Sequence, residues 1–397
     1  MGKGIVKLGE GDWAVKDGNL LAAKETNGRF KNAEFTVTRG TDATYVGKDG
    51  LIFNETGNDT PRIDFTDNTD GHLLLEPESR NLVPYSNEIS LSTGSTVSGT
   101  GSSTAVTDNY AISPDGTQNA ARLVATSATG TGKYALRDFI LSTSSVKSYT
   151  QSTYLKSNTG SDQKVSYYGR DTGVRGFITV TSEWQRFELS GNSNTTNYYV
   201  YLGARPEDGT DTSCDILVYG YQLEQLGYAT SLIPTNGSQV TRDAETCTGA
   251  GSSADFNSEE GVLYAEIAAL ADDNTYRILS LSDETRNERV YMQYTNASNT
   301  VSVVVKYDGE TQANMVYVLS DATNFSKVAI KYKANDFALW VNGVERDTDT
   351  IGNTPTTLNK LQFNEGDSSG NEFYGKVKAI RVYKETDGID LATLTSL

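Results

Sequence analysis

Apolar and polar residues alternate with a period of two in short runs along most of the chain. In Asn197-Tyr-Tyr-Val-Tyr-Leu-Gly-Ala-Arg205, an extended backbone puts Tyr198, Val200 and Leu202 on one side and Tyr199, Tyr201, Gly203 and Arg205 on the other. Similar runs predict strands at Ala120–Ala125, Tyr149–Lys156, Lys164–Gly169, Trp184–Ser190, Tyr198–Ala204 and Asp215–Glu224. The turn residues between them give the spacing of a β-sandwich or jelly roll. A second series predicts strands at Gly261–Ala268, Tyr276–Ser282, Val290–Tyr294, Thr300–Tyr307, Lys327–Tyr332, Asp336–Val341, Lys360–Phe363 and Lys376–Tyr383. Within it, Asn342-Gly343 between Ala338-Leu-Trp-Val and Val344-Glu is a strong hairpin signal. The only plausible helical turn is Gly388-Ile-Asp-Leu-Ala-Thr-Leu394.

Between these series the pattern thins. Residues 1–84 hold short alternating pieces, among them Phe35-Thr-Val-Thr, Pro61-Arg-Ile-Asp-Phe and His72-Leu-Leu-Leu-Glu-Pro, with too few apolar residues to bury a large core alone. This region is expected to be extended and to lean on its neighbours. Residues 92–109 are low in complexity and read as a loop or a weakly hydrophobic edge strand. Residues 234–258 are polar and glycine-rich and read as a connector in which Gln239–Thr241 has strand character. The expected fold is all-β: an extended N-terminal region (1–84, for attachment or oligomerisation), a jelly roll (85–233), a connector (234–258) and a second sandwich (259–397).

Composition supports that reading. There are 23 tyrosines against 12 phenylalanines and 3 tryptophans, and tyrosine suits a half-buried pleated surface. The net charge of −17 opposes binding to nucleic-acid phosphates. No stretch approaches the roughly 20 apolar residues that a membrane-spanning helix needs, and the amino terminus lacks the apolar core of a secretory signal. A single histidine, His72, excludes a multi-histidine metal site and argues against a Ser-His-Asp or Cys-His nucleophile. Cys214 and Cys247 allow at most one disulfide.

Three regions of the chain carry a resemblance. Thr38-Arg-Gly-Thr-Asp-Ala-Thr-Tyr-Val-Gly-Lys-Asp-Gly-Leu-Ile, Pro61-Arg-Ile-Asp-Phe and Leu73-Leu-Leu-Glu-Pro-Glu-Ser-Arg-Asn-Leu-Val-Pro-Tyr-Ser together resemble a phrase of tailed-bacteriophage fibre and capsid-decoration proteins. Ser113-Pro-Asp-Gly-Thr, Tyr149-Thr-Gln-Ser-Thr-Tyr-Leu-Lys, Trp184-Gln-Arg-Phe and Tyr221-Gln-Leu-Glu resemble a carbohydrate-binding jelly roll. Phe337-Ala-Leu-Trp-Val-Asn-Gly and Phe373-Tyr-Gly-Lys-Val-Lys-Ala-Ile-Arg-Val-Tyr resemble a laminin-G or concanavalin A-like sandwich. The resemblance implies a head or tail fibre, spike or decoration protein on the virion surface, made in the bacterial cytoplasm. Its implied partners are capsid or tail proteins, further copies of itself as a dimer or trimer, and host-surface or environmental glycans. A virion polysaccharide depolymerase and a ligand-free capsid cement protein are the alternatives.

Candidate chemistry is sparse. Glycoside hydrolysis needs two carboxylates across the scissile bond; Glu-x-Asp-x-Glu does not occur, and the nearest clusters, Asp283-Glu284 and Glu365-x-Asp367, lie in turn-like sequence. No catalytic residue and no cofactor are expected. Asp272-Asp-Asn274 and Asn364-Glu-Gly-Asp367 offer the oxygen ligands that a structural calcium takes, without a contiguous calcium-loop pattern. Gly130-Thr-Gly-Lys133 reads as a hairpin turn in preference to a phosphate loop, and His72 as structural or exposed. Trp184 and Trp340 read as core; Trp13 is an anchor for a partner or part of a local core. The best ligand candidate is an outward platform of Tyr168, Tyr199 and Tyr201 flanked by Arg170 and Arg205, aromatic faces beside planar polar groups. The same tyrosines suit contact with a neighbouring domain or subunit, and the residues alone leave both open.

Overall fold

The structure is a computed structural model. It describes residues 6–16, 19–26, 29–56, 59–66, 68–92, 96–142, 147–169, 176–193, 197–367 and 370–396, with backbone only at 23–26, 29–32 and 141–142. It is all-β: among the described residues the helical elements are a 3-10 turn at Pro206–Asp208 and an α-helix at Leu391–Thr395. That helix falls on the one predicted helical stretch, capped by Asp390, whose side chain accepts from Thr393 N at 3.1 Å. No helix among the described residues is long and apolar enough to cross a membrane.

The middle of the chain is a sandwich of two five-stranded antiparallel sheets. One runs Thr96–Ser98, Ala135–Ser142, Asn197–Ala204, Gln163–Gly169, Phe177–Val180; the other runs Ser103–Ile112, Gln118–Thr126, Ser213–Glu224, Ser148–Ser157, Gln185–Asn192. The low-complexity segment supplies an edge strand to each sheet. Alternation fills the core between them: Tyr198, Val200 and Leu202 point in, to meet Leu123, Phe139, Leu155, Ile216 and Tyr221. Phe139 and Tyr221 stack with ring centroids 4.1 Å apart.

The second sandwich draws on both ends of the chain. One sheet runs Thr246–Thr248, Arg29–Thr38, Asn19–Thr26, Val6–Gly9, Gly375–Tyr383, Glu260–Ala269, Ser326–Lys333, Phe337–Val341, Val344–Asp349. The facing sheet runs Glu310–Val318, Thr300–Tyr307, Arg289–Tyr294, Arg277–Ser282, Lys360–Gln362. Val6 pairs with Val382 and Gly9 with Ala379. Val6, Leu8, Phe35 and Val37 therefore bury in the same core as Val301, Val303, Val305 and Ile380, and Phe35 meets Phe363 edge-on at 5.4 Å. The thin N-terminal region gains its core by joining another sheet. At the predicted hairpin, Asn342 (φ 50°) and Gly343 (φ 81°) both take the left-handed conformation of a type I′ turn.

The connector is also tied in. Val240–Arg242 pairs with Ser79–Asn81, and Thr246–Thr248 with Thr36–Thr38. Cys214 and Cys247 are both buried free thiols, one in each core.

Candidate functional site

The outward side of Asn197–Ala204 carries the predicted tyrosines. Tyr199 and Tyr201 are half-buried while Tyr198 and Val200 are fully inside. Tyr201 lies opposite Tyr168 on Gln163–Gly169 and opposite Asp138 on Ala135–Ser142. Tyr168 and Tyr201 stack at 4.9 Å and 25°, and Arg205 Nη1 donates to the Tyr168 hydroxyl at 2.8 Å.

These contacts change what Tyr168 offers. It sits on the outer face as expected, yet is 2% exposed, because Tyr201 covers its ring and Arg205 its hydroxyl. It backs Tyr201 and presents no open face of its own. Arg205 is held from the other side by Glu207, Nε to Oε1 at 2.7 Å, and faces Asp208 at 3.5 Å. The 3-10 turn directly after the strand thus fixes the guanidinium beside the tyrosines. Arg170 lies outside the described residues. Sequence patterning placed Tyr199, Tyr201 and Arg205 on one face but could not show that Tyr168 would be covered. Nor did it show Asp138, whose strand, Ala135–Ser142, escaped notice because Arg137 and Asp138 interrupt its apolar pattern. Arg137 points inward, donating to the carbonyls of Ile89 and Ser92 at 2.8 Å each.

The acidic candidates are occupied by protein partners. Glu284 pairs with Lys360 at 2.9 Å, and Arg286 bridges Glu365 at 2.7 Å and Asp367 at 2.6 Å. Asp272 accepts from Ser298 and from Asn299 N at 2.9 Å, and Asp273 pairs with Arg277 at 2.9 Å. Gly130–Lys133 is a turn, closed by Lys133 N to Gly130 O at 3.4 Å. His72 is buried, 3.8 Å from Asp64 and edge-on to Phe325. Trp184 and Trp340 pack beside hydrophobic clusters. Trp13 packs against the second core, donates from Nε1 to Asp70 O at 2.8 Å, and lines a groove.

The phrase in residues 38–86 has a structural meaning that the sequence did not disclose. Three of its charged residues converge on two from the connector. Arg39 donates to Glu245 at 2.7 Å; Arg62 donates from Nε to Glu245 Oε1 and from Nη2 to Glu76, both at 2.8 Å; Arg242 meets Glu76 at 2.8 Å. Ser231, at the end of the middle sandwich, donates to Glu76 from its backbone at 2.7 Å and from its hydroxyl at 2.6 Å. All five charged side chains are buried, so their mutual pairing is what makes the burial tolerable. Burial alone would raise the Glu76 pKa, but Arg242, Arg62 and Ser231 outweigh it and bring it down to about 2.

No known family model matches the chain, and no curated protein sequence does. Among solved structures it is similar to the CBM40 of the Ruminococcus gnavus IT-sialidase bound to α2,3-sialyllactose, at 17% identity over 38% of this chain and 94% of that one, TM-score 0.32. It is similar to domains LG4-5 of the mouse laminin α1 chain, at 11% identity over 64% of this chain and 88% of that one, TM-score 0.26. It is also similar to the N-terminal CBM22-1-CBM22-2 tandem of Paenibacillus barcinonensis Xyn10C, at 10% identity over 78% of this chain and 99% of that one, TM-score 0.26.

Proposed function

We propose that this protein is a non-catalytic adhesion protein of a bacteriophage exterior that holds glycans through the outer tyrosine face of its middle sandwich. The observation that carries the binding role is the arrangement of Tyr199, Tyr201 and Arg205. Two half-buried rings sit on a rigid strand, one backed by Tyr168, with a guanidinium fixed beside them. Aromatic faces with a few oriented polar groups suit sugar rings, whose C–H faces are apolar and whose hydroxyls need donors and acceptors. Such contacts are weak singly, and a dimeric or trimeric assembly repeated over a particle multiplies them.

The phage assignment rests on the phrase in residues 38–86. Arg39, Arg62 and Glu76 from that phrase need Arg242 and Glu245 from beyond the middle sandwich. That dependence supports reading the phrase as the frame in which a projecting module is inserted. The non-catalytic part of the reading is supported by the acidic candidates, which are engaged in ion pairs and loop hydrogen bonds.

The test is binding of the full chain to an array of bacterial surface polysaccharides, together with the Tyr199→Ala/Tyr201→Ala double variant. Glycan capture that falls about tenfold or more in the double variant, the scale of one or two lost aromatic contacts, is expected. New reducing ends generated from any polysaccharide would overturn the non-catalytic role.

A further inference from the structure

We propose that the groove between Trp13 and the hairpin Ala43–Val46/Ile52–Glu55 is a second carbohydrate-binding site, separate from the tyrosine face. It has a volume of about 660 Å³, inside the roughly 300–1,000 Å³ of small-molecule sites. Four aromatic rings line it: Trp13, Tyr45, Phe53 and Phe65.

The hairpin is amphipathic in the simplest way. Ile52 is buried against Ala120, Tyr219 and Leu232 of the middle sandwich, and its amide donates to Pro114 O at 2.9 Å. The next residue, Phe53, therefore turns outward, opposite Tyr45 in the register, and the two rings stack at 5.7 Å and 26°. Phe53 remains 41% exposed, and Val15 across the groove 45%.

Three of the four rings lie against glycines. A Cβ on Gly47 would fall 2.3 Å from Phe53 Cε2; one on Gly71 would fall 2.8 Å from Phe65 Cε1; one on Gly9 would fall 3.1 Å from the Trp13 ring. Each ring thus packs closely on bare backbone. Gly47 is the clearest case, since its backbone is not left-handed and the room for Phe53 is what its missing side chain provides. An exposed ring seated in this way is positioned before a ligand arrives, which lowers the ordering cost of binding.

The polar residues of the groove select the ligand class. Lys48 supplies a donor, Asp49 and Glu55 supply acceptors, and Thr60 supplies both. A sugar uses all of these, because each hydroxyl both donates and accepts. A quaternary ammonium would be favoured by the rings and acids but opposed by Lys48. An apolar peptide face would strip water from Lys48 and Asp49 and offer no hydrogen bonds in return. The mixture of donors and acceptors around stacked rings points to a glycan with free hydroxyls.

The experiment uses the full chain on an array of bacterial surface polysaccharides and neutral oligosaccharides. It compares Phe53→Ala, Gly47→Ala and Tyr199→Ala/Tyr201→Ala, each with its circular dichroism spectrum. Phe53→Ala removes the exposed ring; Gly47→Ala keeps the ring but displaces it. At least one glycan is expected to bind the unmodified chain and to weaken about tenfold in both groove variants, the loss of one aromatic contact, and to persist in the tyrosine-pair variant. Binding that is lost only in the tyrosine-pair variant overturns this site and leaves the function proposed above standing. Binding that is lost only in the groove variants upholds this site and overturns the tyrosine face. No glycan bound by the unmodified chain, or tetramethylammonium bound in the groove with no glycan competing for it, overturns the assignment to carbohydrate.

Discussion

Arg62 and Glu245 stand 183 residues apart in the sequence and face each other with both side chains out of contact with water, Arg62 Nε to Glu245 Oε1 at 2.8 Å. Arg62 also reaches the Thr44 carbonyl at 2.7 Å and the Ser231 hydroxyl at 2.7 Å. One guanidinium thereby joins the N-terminal region, the end of the middle sandwich and the connector.

Removing one partner of this pair strands the other. Arg62→Ala is expected to destabilise the protein by about 3–5 kcal/mol, the cost of an uncompensated buried charge. Glu245→Gln should act in the same direction and by less, since it keeps the shape and part of the hydrogen bonding. Urea unfolding followed by circular dichroism checks both; a midpoint unchanged in Arg62→Ala would refute the role of the cluster.

Acid should release the same cluster from the Glu76 side. Its carboxyl is lowered from an ordinary 4.5 to about 2, so the unfolded chain takes up a proton at a pH where the folded chain does not. The stabilisation is therefore fully present above pH 4.5 and is lost as pH falls from 4.5 through 2. Melting temperatures between pH 5 and pH 2 should fall more steeply for the unmodified chain than for Glu76→Gln, which starts lower and changes less.

Glu372 should behave in the opposite sense. Burial raises its carboxyl from 4.5 to about 7, and its Oε2 has no hydrogen-bond partner among the described residues. Here the folded chain holds the proton more tightly, so stability declines as pH rises from 4.5 to 7 and the full cost persists above 7. Glu372→Gln is expected to stabilise the protein at pH 8 by about 1 kcal/mol, after allowance for solvent screening of a partly exposed group. At pH 4.5 the two proteins should melt together.

The thiols give a simple probe of the two cores. Burial pushes Cys214 up to about 12 and Cys247 well above its ordinary range. Neither should react with a disulfide reagent at pH 8 in the folded protein, and both should react in guanidinium, one in each sandwich. Reaction of one thiol at moderate denaturant before the other would show that the sandwiches open separately.

Much of the architecture was legible because period-two alternation survives wherever one face of a strand is buried. Asn197–Ala204 and Ser148–Ser157 were read to within a residue or two. Alternation fails where polar residues are buried or where apolar residues are exposed. Ala135–Ser142 hides behind the inward Arg137, and Glu310–Val318 behind Val316 and Val318 on its exposed face. The buried charges were invisible for the same reason: Arg39, Arg62 and Arg242 look like surface residues until the partners that satisfy them, far along the chain, are known. Of the candidate site, the side on which each tyrosine falls was readable. The stacking of Tyr168 on Tyr201 was not, since it depends on the register between two strands.

The strand Val6–Gly9 is held between Asn19–Thr26 and Gly375–Tyr383. During synthesis the first of these neighbours emerges at once, and the second only after the middle sandwich and most of the second have been made. Until then this margin of the sheet keeps its backbone groups unsatisfied, open to any other extended segment. Completion of the second sandwich is thereby deferred until Gly375–Tyr383 has been made, and products terminated before Gly375 should aggregate, whatever the state of the middle sandwich.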